Sequence, residues 1–270
     1  MIGDDLRRYY EQGRERERLT CSGGTLELVR TQELLQRYLP SPPADVLDVG
    51  GGPGVYAAWL ARAGYRVHLV DPLPLHVEQA AAAAAAQPDH PFTAAAGDAR
   101  HLDELDASYD ATLLFGPLYH LTERAERIAA LEEAWRVLRP GGLALVVAIS
   151  RFASLLDGLR QGILGDSEAA QVIERTLRDG QHRNPGLERH PGWFTTSFFH
   201  QPAELAAEVA ESGLILETLI GIEGPGEFVG NGWDDPQQRP HILRAAQLVE
   251  HEVSLLGASA HLLAVARKSR

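Results

Sequence analysis

The chain has 270 residues with 25 Lys+Arg against 37 Asp+Glu, a formal charge of −12. That balance disfavours a protein whose affinity comes from neutralising nucleic-acid phosphates. A single cysteine, Cys21, excludes an internal disulfide, and a single lysine, Lys268, near the C-terminus disfavours Schiff-base chemistry.

A hydrophobic fraction of 44% with 23% charged residues describes an ordinary globular protein. No apolar run reaches the roughly 18 residues of a membrane span, and the charged N-terminus lacks the apolar centre of a signal peptide, so a cytoplasmic location is expected.

In chain order, residues 4–19 and 26–38 read as two helices ahead of a first strand at Val46–Val49. The glycine-rich turn Gly50-Gly51-Gly52-Pro53-Gly54 follows, then a helix over 55–63. A second strand over 66–70 ends at Asp71, and a helix over 74–86 begins on Pro74, where a missing N–H costs nothing. A third strand over 92–96 leads to Gly97-Asp98, and a fourth spans 110–115. An amphipathic helix over 123–138 runs into the turn Arg139-Pro140-Gly141-Gly142, and a fifth, fully apolar strand spans 143–149. The regular alternation predicts an α/β fold with a parallel sheet covered by helices.

Beyond residue 150 helices are expected at 152–164, 167–179, 202–212 and 241–256, with strands at 214–220 and 261–266. The aromatic segment 193–199 follows a polar loop, and 221–240 reads as a long Gly/Pro/Asp-rich loop. His182, His190, His200 and Glu223 do not fall at metal-ligand spacing, so no metal site is expected.

Glycines between a strand and a helix let a ligand approach the backbone and the helix N–H groups. Gly52-x-Gly54-x-x-Ala57, with Asp71 19 residues after Gly52, also fits a dinucleotide fingerprint, which leaves an NAD-binding oxidoreductase as the alternative. Three features beside the glycine turn point elsewhere: Asp48 inside the first strand before the glycines, Gly97-Asp98-Ala99 after the third, and the fourth segment Tyr109–Phe115 leading after a helix to Leu138-Arg139-Pro140-Gly141-Gly142. In this combination the chain resembles the class I S-adenosylmethionine (SAM)-dependent methyltransferases, well over residues 44–150 and loosely over 202–220 and 260–267. A SAM-binding protein that does not transfer methyl is a further reading.

The resemblance implies a doubly wound, seven-stranded, mostly parallel sheet with N-terminal helices and a helical insertion after the fifth strand. It divides the chain into an N-terminal helical lid (1–43), a SAM-binding core (44–150), a helical and aromatic substrate lid (151–200) and a part completing the sheet (201–270). SAM is the implied cofactor and S-adenosylhomocysteine its product. Asp71 is then expected on the ribose, Pro72 on the adenine face, and Asp98 and Ala99 on the adenine edge. Gly50, Gly52, Gly54 and Asp48 are expected beside the methionine moiety, with Phe115 nearby and Arg18 and Arg30 as candidates for its carboxylate.

The segment Phe115-Gly116-Pro117-Leu118-Tyr119-His120 lacks the Asn/Asp-Pro-Pro-Tyr signature of adenine and glutamine methylation, which points to a small molecule methylated at O or N, natural-product tailoring being one setting. His120 and Tyr119 are the candidate catalytic pair. Tyr9, Tyr10, Arg151, Trp193, Phe194, Phe198, Phe199 and His200 are the candidate substrate contacts, and neither a nucleic acid nor a membrane is expected as a partner.

Overall fold

The computed structural model describes residues 4–13, 15–19, 24–186 and 193–270, so Cys21 and His190 lie outside the described residues. Two short helices, α1 (Asp4–Glu11) and α2 (Glu15–Arg18), replace the one helix expected over 4–19, with Gly13 at φ 73° between them. They lead to α3 (Thr25–Tyr38), β1 (Asp45–Val49), α4 (Val55–Arg62), β2 (Arg66–Asp71), α5 (Pro74–Ala85), β3 (Thr93–Ala96) and β4 (Tyr109–Leu114). Then come α6 (Pro117–His120), α7 (Arg124–Val137), β5 (Leu138–Ile149), α8 (Ala153–Gln161), α9 (Ser167–Asp179) and a two-stranded ribbon of β6 (Gln181–His182) with β7 (Ser197–Phe198). The chain closes with α10 (Pro202–Glu211), β8 (Ile215–Gly221), α11 (Arg239–Val249) and β9 (His261–Arg267).

The main sheet runs β3-β2-β1-β4-β5-β9-β8, with β9 antiparallel to both neighbours. The strand order reverses between β1 and β4, and both carry apolar residues on either face because helices cover both. One core packs α3 and α4 against the sheet through Leu34, Leu60 and Leu145, and the other packs α7 and α10 through Leu131, Leu205 and Ala264.

Three local expectations differ from the structure. The turn at 139–142 is the start of β5: Leu138 pairs with Tyr109, the register slips before Ala111, and Gly141 takes φ 79° to absorb the irregularity. The helix expected over 241–256 is α11, which starts two residues earlier and ends at Val249, because Glu250 turns into a buried ionic cluster with Arg30. A 3-10 stretch, Gly224–Asp234, occupies much of the expected loop.

The insertion is fastened by a buried charged cluster. Arg127 of α7 forks Glu208 of α10 at 2.6 and 2.9 Å, lies 3.7 Å above the Phe198 ring, and holds the carbonyls of Leu121 and Thr122 at 3.0 Å. Although burial alone would raise it, hydrogen bonds from His200 and Arg127 hold the Glu208 carboxyl down to about 2. Removing one partner of such a pair leaves an uncompensated buried charge. Arg127→Met is therefore expected to lower the unfolding free energy by about 3–5 kcal/mol in urea denaturation, whereas the double variant Arg127→Met/Glu208→Leu recovers part of the loss.

Candidate active site

At the carboxyl ends of β1, β2 and β4 the structure contains a cavity of about 510 Å³. Its floor is the glycine turn after β1. Gly52 takes φ 56° with nothing within 4 Å of an added Cβ, so a side chain there would project into open space; at Gly50, φ 72°, a Cβ would lie 2.7 Å from Pro117. The turn thus stays close to α6 on one side and open on the other.

Asp71 anchors this floor. Its Oδ2 accepts the Gly52 N–H at 2.9 Å, and its Oδ1 accepts the Leu73 N–H at 2.9 Å and His76 Nδ1–H at 3.1 Å. The carboxylate both holds the glycine turn and caps the entry to α5. It retains an acceptor position on Oδ2, since a carboxylate oxygen has two lone-pair sites.

Asp48, in β1 beneath the turn, is fully buried, and neither of its oxygens has a hydrogen-bond partner. Burial, with the nearby Asp71 charge, pushes its pKa up to about 7. An orphaned carboxylate under a cavity floor suits a ligand bearing a cation, and the methionine ammonium of SAM meets that requirement.

Asp98 and Ala99 line the far end with Pro72 and Leu73. Asp98 is half-exposed and paired with Arg100 at 2.5 Å, and Arg100 continues to Glu126. The first arginine on the opposite rim is Arg18, held by Glu15 at 2.8 Å and by Glu27 at 2.6 and 3.1 Å, which leaves two of its five N–H groups for a carboxylate.

Above the floor stand Phe115, Tyr119, His120 and Tyr10. The Tyr119 hydroxyl donates to the Phe115 carbonyl at 2.7 Å, so that tyrosine contributes its ring and not a free proton. His120 Nε2 and the Tyr10 hydroxyl share a hydrogen bond of 2.7 Å, while Nδ1 is buried without a partner. Burial pushes the His120 pKa down to about 3, so the imidazole is neutral at physiological pH. In the tautomer with its proton on Nε2, Tyr10 orients the ring and Nδ1 keeps its lone pair.

The structure gathers Asp48, Gly50, Gly52, Asp71, Pro72, Asp98, Ala99, Phe115, Arg18, Tyr10, Tyr119 and His120 around one cavity and takes the other candidates away from it. Gly54 starts α4 at φ 87°, where a Cβ would meet Phe92 and Ala80, so its smallness serves helix packing. Arg30 is engaged by Glu33, Glu250 and the Ile222 carbonyl, and Arg151 by the Phe199 carbonyl and Glu204. Phe198 packs between Arg127 and Arg151, and His200 meets Glu208 at 3.1 Å, so Arg30, Arg151, Phe198 and His200 are buried ties. Tyr9 lies edge-on to Tyr10 and Phe194, outside the lining, and Trp193 borders a separate cavity.

His76 was not among the expectations. It is 4% exposed, lines the cavity, contacts Tyr10 edge-to-face at 4.9 Å, and has no partner for Nε2. The signal that finds it is its place five residues after Asp71, in the first turn of a proline-started helix that must face the same strand ends. Thr195 and Thr196 also line the cavity, which the aromatic character of their segment concealed.

Glu27, Glu223 and His261 converge to within 4.8 Å. His261 Nδ1 meets Glu223 at 2.5 Å and Arg18 forks Glu27, so two cations already balance two carboxylates; against the cost of burial, Glu223 and Glu27 push the His261 pKa up to about 9. The cluster ties α2 and α3 to β9.

Two measurements test the floor. Because the folded-state pKa of Asp48 lies above its unfolded value, the folded form is favoured by protonation, and stability is lost as pH rises from about 4 to about 7, by at most about 1.4 kcal/mol per unit. Asp48→Asn is therefore expected to raise the ligand-free melting temperature at pH 8 more than at pH 4, while weakening SAM binding in calorimetric titration. Asp71→Ala frees the Gly52 N–H and is expected to weaken SAM at least about tenfold, the loss of one charge-assisted hydrogen bond. His76→Ala, which leaves the Gly52 tie intact, should lose less.

A family model described as "Methyltransferase domain" matches residues 46–142. A ubiquinone biosynthesis O-methyltransferase of Xylella fastidiosa is 28% identical over 193 residues, 70% of this chain and 68% of that protein. The chain spans between 51% and 68% of the length of the curated relatives it matches. Among solved structures, a SAM-dependent methyltransferase of Methanosarcina mazei superposes with a TM-score of 0.59 at 17% identity, over 87% of this chain and 97% of that one. The [4+2]-cyclase SpnF superposes with a TM-score of 0.56 at 19% identity, over 89% and 80% respectively, so the fold itself also carries other chemistry. The matched domain, the sheet order and the acidic residues around the glycine turn agree: residues 46–142 form a methyltransferase domain, set in a sheet of the class I SAM-dependent methyltransferase type.

Proposed function

We propose that the enzyme methylates a hydroxyl oxygen of a small, largely apolar molecule. The observation that carries this reading is the wall of Phe115, Tyr119, His120, Tyr10, Thr195 and Thr196, which presents aromatic surface and hydroxyls, while the cavity's charged side chains Glu15, Arg18, Arg100 and Glu126 are engaged in ion pairs. A carboxylate acceptor would call for a cation on that wall, and an ammonium acceptor for an anion. In this reading residues 44–150 hold SAM, residues 1–43 and 151–200 cover the acceptor, and 201–270 complete the sheet. The covered site suits a small molecule better than a polymer, as does the charge of −12. The relative named for O-methylation in ubiquinone biosynthesis supports an oxygen acceptor. Among the described residues no helix is long and apolar enough to cross a membrane.

SAM supplies a methyl group on sulfonium sulfur, already a good leaving group, so orientation accounts for much of the protein's contribution, and well-oriented reactants gain roughly 7–11 kcal/mol. Asp71, with His76 behind it, fixes the ribose end, and the glycine turn over Asp48 receives the methionine end. The aromatic wall excludes water and aligns the acceptor oxygen. His120 Nδ1 takes the hydroxyl proton as the oxygen is methylated. With so low a pKa it is a weak base, which favours acidic hydroxyls such as phenols or enols.

His120→Ala is expected to lower kcat with a phenolic acceptor by about 10²-fold, at the lower end of general-base contributions, with SAM affinity nearly unchanged; full turnover would remove His120 as the proton acceptor. At saturating SAM, kcat is expected to show no His120 limb between pH 8 and pH 5, since its pKa of about 3 keeps the ring neutral throughout. A limb near 6.5 that disappears in His120→Ala would contradict the buried, neutral imidazole.

A further inference from the structure

A second cavity, of about 170 Å³, lies between α8, α9 and the segment 193–199. Its walls include Ala153, Gly158, Ile163, Val172, Ile173 and Phe199, and they are mostly apolar. One buried polar atom on its lining residues, Ser154 Oγ, has no hydrogen-bond partner, which is costly in a site with no function, while His182 stacks on Phe199 and meets the Phe194 backbone.

The cavity adjoins the active site through one side chain. Phe194 lines the second cavity and stacks on His120 at 5.8 Å and 28°, with Tyr119 at 6.0 Å and Phe199 at 6.5 Å. Along four consecutive residues the chain changes sides: Trp193 and Phe194 border the second cavity, Thr195 and Thr196 the first. Anything positioned by the His120 wall thus stands one aromatic ring away from a second apolar compartment.

We propose that this compartment is a subsite for an apolar substituent of the acceptor, of the size of one six-membered ring, carried on the side of the molecule away from the reacting hydroxyl and admitted by rotation of Phe194. The inference rests on the small-molecule oxygen acceptor proposed above. Its volume sets the class: an apolar cavity of about 150 Å³ is known to accept benzene, so a cavity of about 170 Å³ takes one ring or a branched chain of similar bulk. Ser154 allows such a group one polar atom, and Asp157 on the lining disfavours an anionic one.

The experiment compares phenol and 4-phenylphenol as acceptors with wild-type enzyme and with Ser154→Leu and Val172→Phe, each of which fills the second cavity from a different helix. S-adenosylhomocysteine affinity reports that the variants fold. The wild type is expected to bind and methylate 4-phenylphenol with a KM at least about tenfold below that of phenol, the contribution of a buried ring. Both variants should abolish that preference and leave phenol kinetics within about twofold. Equal KM values for the two phenols in the wild type, or an unchanged preference in both filled variants, would overturn the subsite. If neither phenol is methylated, the oxygen-acceptor reading fails first, and calorimetric binding to the S-adenosylhomocysteine-loaded enzyme decides the subsite separately: 4-phenylphenol binding at least tenfold tighter than phenol, lost in both variants, supports it, and any other pattern, including no binding, overturns it.

Discussion

The Asp71 carboxylate is the point where the glycine turn, the second strand and the following helix meet. Parallel pairing of β1 with β2 brings the turn after one strand and the helix after the other to the same end of the sheet. Each arrives with unsatisfied N–H groups, and Asp71 accepts from both while orienting His76. Asp48 lies close by with no such compensation. Its burial beside Asp71 costs stability as pH rises from about 4 to about 7, a cost that the cationic ligand proposed for this floor would relieve.

The cover over this floor depends on arginines that never touch it. Arg127, Arg151 and Arg30 each satisfy carboxylates and backbone carbonyls in the interior, where the planar five-donor fork suits several acceptors at once. Arg127 also holds the loop that follows His120, so a tie in the helical layer sets the position of a residue in the site. The aromatic groups then lock together: Tyr10 from α1 against His76 and His120, and Phe194 from the insertion against His120. Four distant stretches of chain thus form one wall.

Much of the core was legible because its signals are local. Helix α9 has the expected bounds, 167–179, since Asp166 caps its first N–H groups and Gly180 ends it at φ 79°. The order of strands and the position of the turn followed from hydrophobic runs and from carboxylates at strand ends. The less legible features have non-local causes. The turn expected at 139–142 became strand through pairing with β4. Helix α11 stopped where Glu250 found Arg30, a partner 220 positions away in sequence. Arg151, Phe198 and His200 resembled substrate contacts by residue type, and their burial against Glu204, Glu208 and Arg127 is invisible in the order of the residues.

The sequence by itself determined the α/β alternation, the glycine turn and the carboxylates that bracket it, because a parallel strand, a helix start and a backbone that must take positive φ each impose their residues within a few positions. Only the tertiary structure decided which arginines face the cavity, that His76 stands behind Asp71, that His120 is a neutral imidazole tied to Tyr10, and that a second compartment lies behind Phe194. Those outcomes rest on burial and on contacts between residues up to 220 positions apart, and the energy of a charge or an unpaired nitrogen is set by what surrounds it in space.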